Sequence, residues 1–236
     1  MRIHVGLENG NENRSVAWAL DLLGCYAYGA EEKAALLAVP LAVLAYRDWV
    51  GKHTPDSWLK DLSDFDVRLV EVFNGYTIDD NFDLAEKGYE VNALFRDDWK
   101  SLTRVESRRA AQMLTWISDD LLAVLSDLPA ETLDRTYEGE RWSVRGILGH
   151  VAGANWWYLE RLGLAAMERR DLPRDAFERM QTVQARLLTA LGEMEGMQRV
   201  VGRDGELWSP RKVIRRAIWH GRDHIEHIQK LLTGMG

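Results

Sequence analysis

The sequence contains a single cysteine, Cys25, among its 236 residues. One cysteine excludes an intrachain disulfide and a zinc site built from several thiolates, so any metal ligands must be histidines or carboxylates. No run approaches the roughly 20 apolar residues that a membrane-spanning helix needs, and the N-terminus has no apolar segment behind a basic one. These absences favour a soluble, cytoplasmic protein.

The chain also lacks an excess of positive charge. Its formal net charge is -7, from 30 Lys and Arg against 37 Asp and Glu. Binding to nucleic acid or to an anionic membrane needs a positive surface, so the composition argues against both kinds of partner. Hydrophobic residues make up 46% of the chain and charged residues 28%, which is ordinary for a globular protein with a buried core.

The first part of the chain shows the alternating pattern of strands. Three short strand-like stretches lie within residues 2–29 and are separated by turn-forming residues such as NGNEN. Residues 30–53 switch to helical spacing, and Pro40 is expected to kink or break that helix. Alternation returns at residues 65–73, whereas residues 74–92 have no clear pattern. A β-β-β-α-β unit is the simplest interpretation.

After about residue 100 the strand signals stop. Four helical stretches follow, at residues 105–128, 143–165, 174–195 and 209–232. Ser143 and Ser209 are suitable N-caps, and Pro210 suits a first helical position. Four amphipathic helices of this length are typical of a bundle.

The two patterns together predict an α+β protein with two domains. We expect an α+β domain at residues 1–90 and an antiparallel four-helix bundle at residues 91–236. The boundary between the two domains is placed somewhere from residue 75 to residue 102.

Three of the six histidines lie within eight residues near the C-terminus, in the stretch IWHGRDHIEHIQKLL. His220 and His224 are four residues apart, so on a helix both imidazoles lie on one face and can converge on one ion. The apolar stripe of this helix includes His224, has His220 at its edge and leaves His227 just outside. The glutamate of the HExxH metalloprotease motif is missing. Spacing alone does not favour a metal-binding pair of histidines over a buried polar pair or a solvent-exposed cluster.

Two residues of the second predicted helix are weaker candidates. His150 lies at the flank of the apolar stripe. This angle slightly favours an ordinary surface histidine over a residue of a functional site. Asn155 falls in the middle of the stripe, and a buried Asn needs hydrogen-bond partners. A bond to a neighbouring helix is favoured for Asn155 over the orientation of a ligand.

Basic residues and tryptophans near the histidines have simpler interpretations. The last helix begins with four basic residues that angular spacing places on its polar face, where we expect solvent: Arg211, Lys212, Arg215 and Arg216. Four of the ten tryptophans lie near the histidines in sequence, where packing is favoured over a role as pocket walls: Trp156, Trp157, Trp208 and Trp219.

The helical half resembles the DinB-like superfamily of four-helix bundles. The resemblance rests on WSVRGILGHVAGANWWYLERL and WHGRDHIEHIQKL and covers about residues 100–236. In that family a histidine on the second helix and an HxxxH pair on the last helix bind a divalent metal. The resemblance therefore implies His150, His220 and His224 as ligands. His227 stands where the family commonly has a glutamine.

The same resemblance implies a metal-dependent enzyme that acts on a small molecule. Activities in the superfamily include hydrolysis, and transfer or isomerisation with a low-molecular-weight thiol as cosubstrate. Three imidazoles leave open positions on a dipositive ion; zinc is the default, and nickel, iron or manganese also suit imidazole. Asp223, His227 and Asn155 are candidates to orient the ligands or carry protons. No catalytic group beyond the ligands is identified, and a homodimer is one expected partner state.

The N-terminal part resembles the small HicB-like domain. The resemblance rests on LDLLGCYAYGAEEKAALLAVPLAVLAYRDWV, in which a turn leads into an alanine-rich helix, and covers roughly the first 55 residues. HicB antitoxins usually carry a DNA-binding segment after this unit, and no such segment is recognised here. The rival hypothesis is therefore a non-catalytic metal-binding or protein-interaction protein, or a regulator with an antitoxin-like N-terminal domain.

Overall fold

The computed structural model describes residues 1–234, which divide into two compact units. The first unit combines residues 1–100 with residues 198–212, and the second combines residues 101–197 with the chain from Val213 onward. The helical unit thus begins at residue 101, whereas the sequence suggested residue 91. One reason is that Ala93 N donates a 2.8 Å hydrogen bond to the buried Glu8 Oε1 on the first strand.

The first unit is a sheet covered by one helix, in the β-β-β-α-β order that the sequence predicts. Its elements are β1 (Arg2–Asn11), β2 (Arg14–Ala19), β3 (Tyr26–Gly29), α1 (Glu32–His53) and β4 (Asp66–Asn74). The strand order in the sheet is β3-β2-β1-β4. β1 is antiparallel to β2 and parallel to β4, because the long connection through α1 returns the chain in the original direction.

Helix α1 packs on the sheet through one stripe. The stripe repeats every three or four residues and is formed by Ala35, Val39, Val43, Tyr46 and Val50. Tyr46 Oη donates a 2.8 Å hydrogen bond to Leu23 O. Pro40 lies on the exposed side of a continuous helix, so the expected break does not occur there.

By length and composition alone, α1 is apolar enough to cross a membrane, a test that core helices of soluble proteins and signal sequences also pass. This finding corrects the expectation that no segment has that character. The physical reason is that α1 is apolar on more than its buried stripe: Leu37 and Leu41 lie on its exposed side.

Two small antiparallel ladders complete the first unit. β5 (Tyr76–Ile78) pairs with β6 (Tyr89–Val91) inside the segment that showed no clear pattern. β7 (Val201–Arg203) pairs with β8 (Glu206–Trp208). Both turn residues of this second hairpin, Asp204 and Gly205, have positive φ, as a two-residue Asp-Gly turn requires.

The second unit is helical. Its elements are α2 (Arg104–Leu125), α3 (Ala130–Asp134), α4 (Val144–Arg161), α5 (Ala176–Met194) and all but the first three residues of α6 (Pro210–Thr233). The four long helices are those that the sequence predicts, and the short α3 is additional. The predicted caps are confirmed: Ser143 Oγ accepts a hydrogen bond from Gly146 N, and Ser209 Oγ accepts one from Lys212 N.

The basic residues at the start of α6 are not solvated, and that expectation was wrong. All four expose 5% or less of their surface: Arg211, Lys212, Arg215 and Arg216. Lys212 shows why burial is tolerated, because its Nζ donates to Glu206 Oε1 at 2.5 Å and to the carbonyl oxygens of Asn92 and Leu207 at 2.9 Å. A buried ammonium is stable only when its protons have such acceptors.

Candidate metal centre

Three histidines from two helices converge in the second unit. His150 lies on α4, and His220 and His224 lie on α6. The Nε2 atom of His220 is 3.1 Å from the Nε2 atom of His150 and 3.1 Å from that of His224. One ligand atom from each ring can be chosen so that all three lie within 4.8 Å of one another. The three imidazoles therefore face one common point.

Local helix geometry sets these positions. His220 and His224 are one turn apart on α6, so their rings project from the same face. Gly221, between them, lies close to α2: a Cβ built there would be only 2.5 Å from Ile117 Cγ2. This glycine therefore permits a close approach of α6 to α2, and the approach helps to fix the height and rotation of the two histidines.

The histidines differ in burial as the apolar stripe predicts. His220 exposes 7% and His224 exposes 9% of its surface, while the side chain of His227 remains 30% exposed. His150 is half-buried. The pair on α6 therefore faces inward and His227 lies at the rim.

The surroundings keep the two buried imidazoles neutral. Burial first, and then the charges of His224, His150 and Arg216, lower the pKa of His220 well below its usual 6.5. Burial, followed by the charges of His150 and His227, lowers the pKa of His224 to about 3. Neutral imidazole is the form that ligates a metal, so both rings are in the binding form near neutral pH.

The donor set fits a divalent transition-metal ion. Zinc–nitrogen bonds of about 2.0–2.1 Å in tetrahedral geometry separate two ligand nitrogens by about 3.3 Å, close to the two observed distances of 3.1 Å. A neutral Nε2 is either one donor or one acceptor, so His220 Nε2 has two ring-nitrogen neighbours and can bond well to only one. A shared cation satisfies all three nitrogens.

The histidine rings lack one feature common in metal sites. The Nδ1 atoms of His220 and His224 are buried and have no hydrogen-bond partner. In most sites this second ring nitrogen donates to a carboxylate or carbonyl group. Packing, rather than a hydrogen bond at Nδ1, therefore holds these two rings.

The loop before α4 adds two residues that the sequence analysis missed. Trp142 stacks on the His150 ring, with 4.3 Å between ring centroids and 22° between planes. Glu140 Oε2 lies 3.0 Å from His227 Nε2. A Cβ on Gly146 would come within 3.0 Å of Trp142 Cβ, so a glycine in the first turn of α4 lets the loop lie close over the helix. The available signal was an acidic and an aromatic residue among the three residues that precede the Ser143 N-cap.

The other candidates lie as follows. Asp223 is half-buried beside His224. Asn155 is 3% exposed, and its Oδ1 is buried without a hydrogen-bond partner, so the bond expected for it to a neighbouring helix is not made through that oxygen. Neither residue belongs to the cluster of three histidines.

The tryptophans noted in the sequence are mostly packing residues. Trp219 lies near the site, with its ring centroid 5.6 Å from that of His220. Trp156 Nε1 donates to Met167 O, and the Trp157 ring packs near that of Tyr158. Trp208 belongs to the first unit, where its ring lies 4.4 Å from Lys212 Nζ.

Three imidazoles that converge between two helices are an arrangement typical of helical proteins that bind metal. A family model described as the DinB superfamily matches residues 113–228, a range that includes all three histidines. The second unit therefore contains a DinB superfamily domain, a class of domain that generally binds a divalent metal. The comparisons with curated proteins and with solved structures returned no match to this chain. The HicB-like resemblance of the first unit lies outside the matched range and stays a prediction.

Proposed function

We propose that the second unit binds one divalent metal ion through the Nε2 atoms of His150, His220 and His224. The observation that carries this proposal is the convergence of three ring nitrogens from two helices. Zinc is the first candidate, and nickel, iron and manganese also accept imidazole ligands.

The activity that this site supports best is that of a metal-dependent enzyme acting on a small molecule. Its class is either a hydrolase or a transferase or isomerase that uses a low-molecular-weight thiol. A bound dipositive ion with three imidazole ligands supplies Lewis acidity, which lowers the pKa of a coordinated water or thiol. The match to a DinB superfamily domain supports the proposal that a metal binds here. A site with three protein ligands is expected to keep an open coordination position, which the proposed chemistry needs.

The chain provides a group that can move a proton beside this site. His227 Nε2 lies 3.0 Å from Glu140 Oε2, and its ring centroid is 5.8 Å from that of His224. When the neutral ring donates Nε2–H to the carboxylate, Nδ1 is left as the proton acceptor. Glu140 then fixes the tautomer and stabilises the imidazolium that forms, so His227 is our candidate for the general base.

Trp142 contributes in a different way. Its face-to-face contact covers one side of the His150 ring, which restricts rotation of that ring and excludes water from one approach to the site. An orienting contact of this kind matters because a ligand that is free to rotate binds metal less tightly.

Metal content of the untagged full chain tests the proposal. Elemental analysis should find close to one equivalent of divalent metal in the wild type and almost none in the variant His220→Ala/His224→Ala. His53→Ala, which changes a histidine of the first unit, is the matched control and should keep the metal. A wild-type protein that takes up no metal after incubation with zinc and with nickel would refute the proposal.

A regulatory protein is the second candidate, because the first unit has the β-β-β-α-β order with β4 parallel to β1. We propose that this unit is HicB-like, and in this alternative it binds a protein partner while the metal is structural. Azide titration of the cobalt-substituted protein separates the two candidates. A change in the visible spectrum indicates an open coordination position and favours the enzyme; an unchanged spectrum favours the structural role.

A further inference from the structure

Strand β4 is a long apolar edge. It forms one end of the four-stranded sheet and runs for nine residues without proline. Four of its apolar side chains are between 37% and 47% exposed: Val67, Leu69, Val70 and Val72. Edges of this length are usually shortened, covered or heavily charged, because their free backbone groups pair with another strand.

An irregularity in β4 decides which of its side chains share a face. The register with β1 skips Val70, and an extra residue reverses the alternation of side chains beyond it. Arg68 and Glu71, three positions apart, therefore project from the same face of the sheet. Val67 and Val72 share the opposite face, on which α1 packs.

We propose that β4 pairs in antiparallel fashion with β4 of a second copy of this chain, about a two-fold axis between Leu69 and Val70. In this register Arg68 lies opposite Glu71 of the second copy, and Val67 lies opposite Val72 of the second copy. The symmetry axis repeats each pair, so two ion pairs and two apolar pairs form across one new ladder. This interface lies in the first unit and is independent of the metal centre.

The sequence of β4 selects this register over its neighbours. Directly opposed residues of an antiparallel pair have side chains on the same face of the sheet. Because of the extra residue at Val70, β4 can pair with itself in this way only in registers that are shifted from one another by two residues. One such shift places Asp66 opposite Glu71, which opposes like charges. The other places Arg68 opposite Phe73 and leaves the charge without a partner.

Local contacts prepare Glu71 for this role. Its Oε2 accepts a 2.9 Å hydrogen bond from Arg96 N, which fixes the carboxylate and leaves Oε1 for a guanidinium. The same strand supplies both charges and both apolar positions. A second copy of the chain is therefore complementary without any further partner, whereas an anionic membrane would meet charges that cancel.

The mass of the full chain in solution, measured by light scattering during size exclusion, tests the pairing. The wild type should elute as two chains of 27.0 kDa. Arg68→Glu opposes like charges at both ion pairs and should raise the dissociation constant of the dimer by about tenfold or more. Arg68→Glu/Glu71→Arg restores opposite charges and should restore the dimer. Lys33→Glu, an equal charge change on exposed α1 surface, should leave the mass unchanged.

Four outcomes would overturn the proposal. The first is a monomeric wild type across the measured concentrations, and the second is a dimer that Arg68→Glu does not weaken. The third is a folded double variant that stays monomeric. Because Glu71→Arg also removes the acceptor for Arg96 N, Val72→Glu is a second test that leaves this contact intact. A dimer that persists in Val72→Glu likewise rules out pairing through β4.

Discussion

The Nε2 atoms of His150 and His220 lie 3.1 Å apart, although 70 positions separate the two residues in the chain. The pair on α6 is a local product of helical spacing, but the third nitrogen arrives only when α4 packs beside α6. The candidate centre is therefore a tertiary feature, and its metal affinity should depend on residues that hold the two helices and the loop before α4 in place.

His150→Gln should lower the affinity for zinc by more than about 100-fold, because changes to groups that only support a ligand already cost about 10- to 100-fold. His227→Gln should keep the affinity within about tenfold of the wild type, since His227 bonds to Glu140 outside the cluster. Competition with a chromogenic chelator measures both variants. Equal losses in the two variants would contradict the assignment of ligands.

Trp142→Ala should weaken zinc binding by about tenfold, because the stacked indole restricts the His150 ring. Trp142→Phe keeps an aromatic face and should recover most of the affinity. The same chelator competition gives the readout, and circular dichroism shows whether each variant is folded. If the alanine and phenylalanine variants bind equally well, stacking has no part in orienting His150.

Without metal, the free energy of unfolding should fall as the pH is lowered below about 6.5. The unfolded chain protonates its histidines near pH 6.5, while in the folded chain the pKa of His224 is about 3 and that of His220 is also well below 6.5. Between these values the unfolded state binds more protons, so stability rises with pH by up to about 1.4 kcal/mol per pH unit for each histidine.

Urea unfolding of the chelator-treated protein between pH 4.5 and 7.5 measures this dependence. Carboxylates also titrate over the acidic part of the range, so the comparison with His224→Gln isolates the histidine. This variant should show a shallower slope than the wild type. Parallel slopes would mean that the buried ring does not resist protonation.

Gly221→Ala should destabilise the protein by about 1–3 kcal/mol, because the new Cβ would overlap Ile117 Cγ2. The exposed helical Gly192 is the matched control: nothing lies within 4 Å of a Cβ there, so Gly192→Ala should stabilise by up to about 1 kcal/mol. Ile117→Ala removes the overlap, so this substitution should destabilise the Gly221→Ala variant less than it destabilises the wild type, in which it only removes buried packing. Urea unfolding measures all of these variants, and a stabilised Gly221→Ala would disprove the close approach.

Periodicity predicted what depends on neighbours in the chain. Alternation placed β4 within one residue of its observed bounds, Asp66–Asn74, and spacing by four placed His220 and His224 on one buried face. The Asp204-Gly205 dipeptide is a hairpin signal of the same local kind, and β7 and β8 pair on either side of it. These features need only a local pattern, so a sequence can reveal them.

Features that depend on packing partners were not predictable in the same way. Angular arithmetic placed Lys212 on a polar face, because it cannot show that Glu206 and two carbonyl oxygens would surround the ammonium. Glu140 and Trp142 lie in a loop whose path follows from its packing on α4. For the same reason His150 could not be assigned as a metal ligand from its angle on the helix. Its assignment as a ligand came from a family resemblance.

The buried pair of Lys212 and Glu206 leads to a final prediction about stability. Lys212→Met should destabilise the protein by about 3–5 kcal/mol, because it leaves the Glu206 carboxylate buried without its cation. Lys212→Met/Glu206→Gln removes the second charge as well, while the amide keeps a bonding group for Tyr89 Oη, and should be more stable than Lys212→Met. The exposed pair of Lys60 and Asp56 is the control, and Lys60→Met should change little. Urea unfolding compares the variants, and a double variant no more stable than Lys212→Met would mean that the cost does not come from a stranded Glu206 charge.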